Sequence, residues 1–147
     1  MSFQENKAVV RRFMEQVARG ELDSALALLA PEAVVHLAGA PGPLDRDAFG
    51  QFGRAFHAAF GDERLTIEDQ IAEGDRVVTR LTETARHVGA FQGLPPTGRT
   101  VRMTGIWIDR VVGGKILERW SEFDQLGMLQ QLGALPSPGQ PPATAAS

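Results

Sequence analysis

Residues 100–124 read TVRMTGIWIDRVVGGKILERWSEFD, and the reading of this stretch decides the fold. Two runs rich in β-branched and aromatic residues, 100–111 and 115–124, flank Gly113-Gly114. That dipeptide supplies the positive backbone angles a tight hairpin needs, so the stretch predicts two antiparallel strands. Side chains alternate along a strand. Trp120, Glu122 and Asp124 therefore share one face, as do Met103, Gly105 and Trp107.

The same pattern continues upstream. LTIEDQIAEGD (65–75) and RVVTRLTETARH (76–87) predict two more strands joined at Gly74-Asp75. Val78, Arg80, Thr82 and Thr84 share a face of the second. The loop VGAFQGLPPTGR (88–99) links the two hairpins.

The N-terminal part has helical periodicity instead. Ser2 and Glu5 form a capping box ahead of a stripe of Val9, Val10, Phe13, Met14 and Val17, which Gly20 stops. A short helix with Leu22, Leu26 and Leu29 is expected to end at Pro31, and AVVHLAG (33–39) to form a short strand. Asp45 caps a third helix carrying Phe49, Phe52, Phe56 and Phe60. Leu126, Leu129 and Leu132 mark a last short helix.

Helices followed by long strands predict an α+β fold. The expected architecture is a cone-shaped, curved antiparallel sheet with three N-terminal helices on its concave face, enclosing an apolar pocket. The chain of 147 residues reads as one domain over 1–133, with a proline-rich tail at 134–147 expected to be disordered.

Composition removes several function classes. The net charge of −3 is mixed in sign, with no basic stripe for nucleic acid. No apolar run is long enough to span a membrane and no signal-peptide pattern opens the chain, so a cytoplasmic protein is expected. Cysteine is absent, which removes thiol chemistry, and the absence of tyrosine removes any phenol that could polarise a carbonyl or epoxide. The three histidines show no metal-ligand spacing, and no metal is expected. His36 is placed at the pocket mouth, His57 off the phenylalanine stripe in solvent, and His87 exposed or in a turn.

The stretch GAFQGLPPTGRTVRMTGIWIDRVVGGKILERWSEFDQLGMLQQLG (89–133) resembles the SnoaL-like polyketide cyclases, which share the cone fold of nuclear transport factor, ketosteroid isomerase and limonene epoxide hydrolase. The resemblance rests on G-x-F-x-G-x-P-P-T-G-R, on a Trp with an Asp four residues on, and on the L-G and Q-L-G that follow. It implies cofactor-free ring closure by intramolecular aldol condensation, with Asp124 as the acid/base. Trp107, Trp120, Arg80, Glu122, His36 and Met103 are the expected substrate-binding residues. Alternatives stay open. Epoxide hydrolases of this fold use an Asp-Arg-Asp network with a Tyr; the matching positions here are Arg80, Thr82 and Glu122, and no Tyr exists. A non-catalytic binder of an apolar small molecule, or a dimeric interaction module, is the other alternative. Asp124 could also simply cap the last helix. A homodimer through the outer sheet face is expected, because Ile106 and Ile108 lie opposite Trp107.

Overall fold

The computed structural model describes residues 2–136 and 139. The elements run α1 (Phe3–Ala18), α2 (Leu22–Leu26), β1 (Leu29–Leu37), α3 (Arg46–Ala59), β2 (Phe60–Glu73), β3 (Arg76–His87), β4 (Thr100–Val112), β5 (Lys115–Phe123) and α4 (Gln125–Gln131). The expected α+β fold is present, with the strands in one curved, unclosed sheet of order β1-β5-β4-β3-β2. Most of the tail expected at 134–147 lies outside the described residues.

One correction concerns the sheet's type. It is mixed rather than antiparallel, because β1 lies parallel to β5 at the sheet's edge. Parallel neighbours need a long crossover, and the segment from α3 to β4 provides it. Pro31 sits inside β1 instead of ending α2. An edge strand tolerates proline, and the register of β1 shifts between Leu29 and Val34.

Local chemistry explains the helix starts. The Ser2 hydroxyl accepts from the Glu5 amide at 3.1 Å, and Asp45 accepts from the Ala48 amide at 2.8 Å. Each satisfies an amide that has no partner within its helix. The third phenylalanine-rich helix ends one residue early, at Ala59, and Phe60 opens β2.

The alternation of the strands fixes two faces. Val77, Thr79, Leu81 and Ala85 of β3 are buried, as are Val101, Met103, Asp109 and Val111 of β4. Val77, Leu81 and Val111 pack with Val9, Val10, Phe13 and Met14 of α1 and Phe49 of α3, and Ala85, Val101 and Met103 with Phe60, Phe91, Met128 and Leu132. A large apolar side chain among these contributes roughly 1.5–3 kcal/mol when fully buried. His87 belongs to this inner face as well: it is wholly buried beside Phe60, correcting its expected exposure. The Thr97 amide donates to its Nδ1 at 3.1 Å. The opposite, outer face carries Arg80, Ile106 and Glu122, all exposed.

Candidate active site in the cavity between helices and sheet

A cavity of about 80 Å³ lies between α1, α3 and the inner face of the sheet. Its walls are mainly apolar: Phe13, Phe49, Phe52, Phe56, Leu81 and Met103 contribute. Against this background four polar groups stand out, namely His57, Glu63, Glu83 and Arg119.

Each carboxyl has a local reason to face inward. Glu83 follows Val77, Thr79 and Leu81 on the buried side of β3, so strand parity alone directs it to the cavity. Glu63 depends on a β-bulge. Gly61 pairs with Arg86 but Arg64 pairs with Thr84, which leaves one extra residue on β2. Asp62 absorbs it in the left-handed region, at φ 52°. Such a bulge re-aims the next side chain, here Glu63.

The two carboxyls meet. Burial raises Glu63 first, and its hydrogen bond to Glu83 and the charge of Glu83 raise it further, to about 9. Burial also raises Glu83, while the hydrogen bond from Glu63 and the nearby His57 pull it back down. Both carboxyls are thus raised, by burial first, and Glu63 is the one that keeps its proton at neutral pH. His57 stands on the other side, with Nδ1 3.1 Å from Glu63 Oε1. Its Nε2 contacts the carbonyl of Val17. A carbonyl only accepts, so Nε2 carries the proton.

Arg119, which also lines the cavity, forms a buried pair with Asp109, with Nε 3.4 Å from Oδ1. Burial lifts Asp109 to about 6, against the opposing pull of Arg119, and burial lowers Arg119. The guanidinium carbon lies over two rings, 4.0 Å from the Trp107 centroid and 4.6 Å from the Phe13 centroid.

The residues expected from the sequence separate into three places. Trp107 and Met103 line the cavity. Arg80, Glu122 and Asp124 instead line a shallow groove on the outer side of the sheet, with Arg102 and Ile106. Their expected common face with Trp107 is thus corrected: in β5 the cavity receives Arg119, Ser121 and Phe123. Arg80 pairs with Asp69 at 2.6 Å rather than with Glu122. His36 and Trp120 form a third group, also outside. Their rings stack at 5.3 Å, Glu118 holds His36 Nε2 at 2.7 Å, and Arg76 covers Trp120. His36 therefore does not reach the cavity mouth, because even-numbered residues of β1 alternate away from buried Ala33 and Val35.

Asp124 is exposed and caps α4: its Oδ1 accepts from the Gly127 amide at 2.8 Å. A Cβ on Gly127 would collide with that carboxylate, so Gly127 leaves room for the cap. His57 was expected in solvent; the cavity curves around α3 far enough to include it. Glu63 and Glu83 were not singled out from the sequence. A charged residue interrupting Val77, Leu81 and Ala85 at spacing two was the signal for Glu83. Glu63 had none, because its bulge is invisible to a parity count.

Comparison with known proteins agrees with this architecture. The family model described as SnoaL-like polyketide cyclase matches residues 8–132. The aklanonic acid methyl ester cyclase DnrD of Streptomyces peucetius is 34% identical over 131 residues, covering 85% of this chain and 88% of that protein. The solved structure of AclR from Streptomyces galilaeus superposes with a TM-score of 0.85 at 29% identity, over 92% of this chain and 85% of that one. IdmH from Streptomyces antibioticus superposes with a TM-score of 0.78 at 34% identity, over 87% of this chain and 98% of that one. With the match running from α1 to the end of α4 and the fold shared throughout, the chain belongs to the SnoaL-like polyketide cyclase family.

Proposed function

We propose that this enzyme closes a ring in a polyketide-like ester by intramolecular aldol condensation, and that the Glu63–Glu83 pair performs the proton transfers. The observation that carries the reading is the meeting of two carboxyls, Glu63 and Glu83, on the wall of an apolar cavity, where burial raises both. An aldol closure needs a base for a carbon-bound proton and an acid for the alkoxide that forms. Glu83 as carboxylate takes the proton beside the activating carbonyl. The enolate carbon attacks the second carbonyl, forming the carbon–carbon bond, and Glu63 protonates the resulting alkoxide. The proton gained by Glu83 then returns to Glu63, so no proton is consumed. Two carboxyls whose surroundings separate their acidities divide acid and base work in this way. Positioned acid/base groups contribute roughly 10²–10⁴-fold. Holding the extended substrate in a cyclising conformer adds an entropic advantage.

A purely binding cavity would gain nothing from burying this pair, since desolvating carboxyls is costly. The epoxide-hydrolase reading required Arg80, Thr82 and Glu122 to act together; all three lie along the outer groove. Asp124 as acid/base is the second reading, supported by the family resemblance around Trp120 and Leu126-Gly127. The deciding experiment measures cyclisation of aklanonic acid methyl ester, the compound in DnrD's name, by Glu83→Gln and Asp124→Asn. Loss of at least about 100-fold in kcat by Glu83→Gln, with Asp124→Asn within a few-fold of the parent, supports the cavity pair. The reverse ranking transfers the acid/base role to Asp124.

The homodimer belongs here as a proposal too. Ile106 is half exposed on the outer face, beside Ile108, and Trp120 faces Ile108 across β5. A second copy would cover this apolar strip. Ile106→Lys should shift a dimer to monomer in gel filtration; a monomeric parent at micromolar concentration removes the proposal.

A further inference from the structure

The cavity contains a second set of polar groups, separate from the carboxyl pair, that nothing among the described residues satisfies. All three guanidinium nitrogens of Arg119 and the indole Nε1 of Trp107 are buried without a hydrogen-bond partner. Arg119 is only 1% exposed, yet it lines the cavity together with Trp107. Leaving a buried donor unmade is ordinarily costly, and more so for a charged one. Several such donors gathered in one cavity call for an acceptor.

The Arg119 guanidinium carbon lies over the rings of Trp107 and Phe13, 4.0 Å and 4.6 Å from their centroids. These contacts hold the cation through the ring faces and leave its N–H donors without a conventional acceptor. Asp109 balances the charge, but its closest approach, 3.4 Å to Nε, makes no hydrogen bond. The indole N–H of Trp107 lies near Gly105, 3.4 Å from where a Cβ would stand, and that Cβ would also meet the Glu122 carbonyl oxygen at 2.8 Å. Glycine there lets the indole and β5 pack close. The aromatic walls suit a flat conjugated ligand, and the donors suit a negative oxygen at its edge.

We propose that Arg119 and the Trp107 N–H form an anion subsite that binds the enolate or carboxylate oxygen of a flat conjugated ligand. Under the ring-closure reading, on which the identity of the ligand rests, the bound oxygen is that of the enolate generated by Glu83. The subsite itself stands on the unpartnered donors.

The test uses 2-naphthoate as the probe and 2-naphthamide as its neutral match, and requires no turnover. In the wild-type protein naphthoate should bind more tightly than naphthamide, and the Trp107 Nε1 proton should move downfield in the NMR spectrum on naphthoate addition. Trp120→Phe assigns that resonance, since the chain holds two tryptophans. Trp107→Phe should weaken naphthoate about tenfold while leaving naphthamide within about twofold. If Trp107→Phe does not fold, the wild-type resonance shift decides alone. An unmoved indole proton, equal affinity for the two probes, or no naphthoate binding at millimolar concentration overturns the subsite. A Glu83→Gln enzyme that still cyclises would instead overturn the proton-transfer reading and leave the subsite standing, so the two failures are distinguishable.

Discussion

His57 Nδ1 stands 3.1 Å from Glu63 Oε1, so the last turn of α3 is tied to the bulge that opens β2. His57 Nε2 donates to the Val17 carbonyl, which holds the ring with Nδ1 facing Glu63.

This arrangement makes stability depend on pH. Glu63 is raised from 4.5 to about 9 in the folded state. Between those values the folded chain holds a proton that the unfolded chain releases. Stability is therefore highest below the unfolded value and falls as pH rises through the window. The slope from one such group is at most about 1.4 kcal/mol per pH unit. Glu63→Gln removes the titration. Its melting temperature should fall less between pH 5 and pH 8, and should exceed the parent by a few degrees at pH 8. Parallel melting curves for both proteins across that range would contradict the assignment.

The same proton gives turnover an alkaline limit. Glu63 serves as acid only while protonated, so kcat should decline above about pH 9. Glu63→Gln should turn over more slowly, by roughly 10²-fold, and should lose that alkaline limb. A limb that persists unchanged in Glu63→Gln belongs to another group.

At Asp124 the visible task is structural. The carboxylate caps α4 through the Gly127 amide. Asp124→Ala should cost about 1 kcal/mol, whereas asparagine also caps well and should cost little. Denaturant unfolding distinguishes them. Equal losses for Ala and Asn would mean that the charge, not the cap, matters.

Alternation made β3, β4 and β5 legible in the sequence, and the capping residues Ser2 and Asp45 marked two helix starts. The direction in which each strand faces was harder to read. In β5 the inner face carries Arg119 and Ser121, residue types that ordinarily face water, while the outer face carries Trp120. A hydropathy count therefore prefers the wrong side. The missing fact was the partner: Asp109, directly opposite Arg119 across the sheet, lets the arginine be buried. His57 and Glu63 were hidden for a different reason. Their placement depends on how far the cavity wraps around α3 and on the extra residue at Asp62, and neither has a periodic signature.

The Arg119–Asp109 pair offers the last prediction. Removing one partner of a buried pair leaves an uncompensated charge, costing about 3–5 kcal/mol, whereas replacing both with apolar residues is often neutral. Arg119→Met alone should therefore be strongly destabilised, and Asp109→Leu with Arg119→Met should recover most of the loss in urea unfolding. The recovered double variant should still lack any preference for naphthoate over naphthamide, because the guanidinium donors are gone. Stability and anion recognition then separate in one protein. If the double variant regained both, the pair would serve only to hold the core together, and the donors at Arg119 would have no ligand to meet.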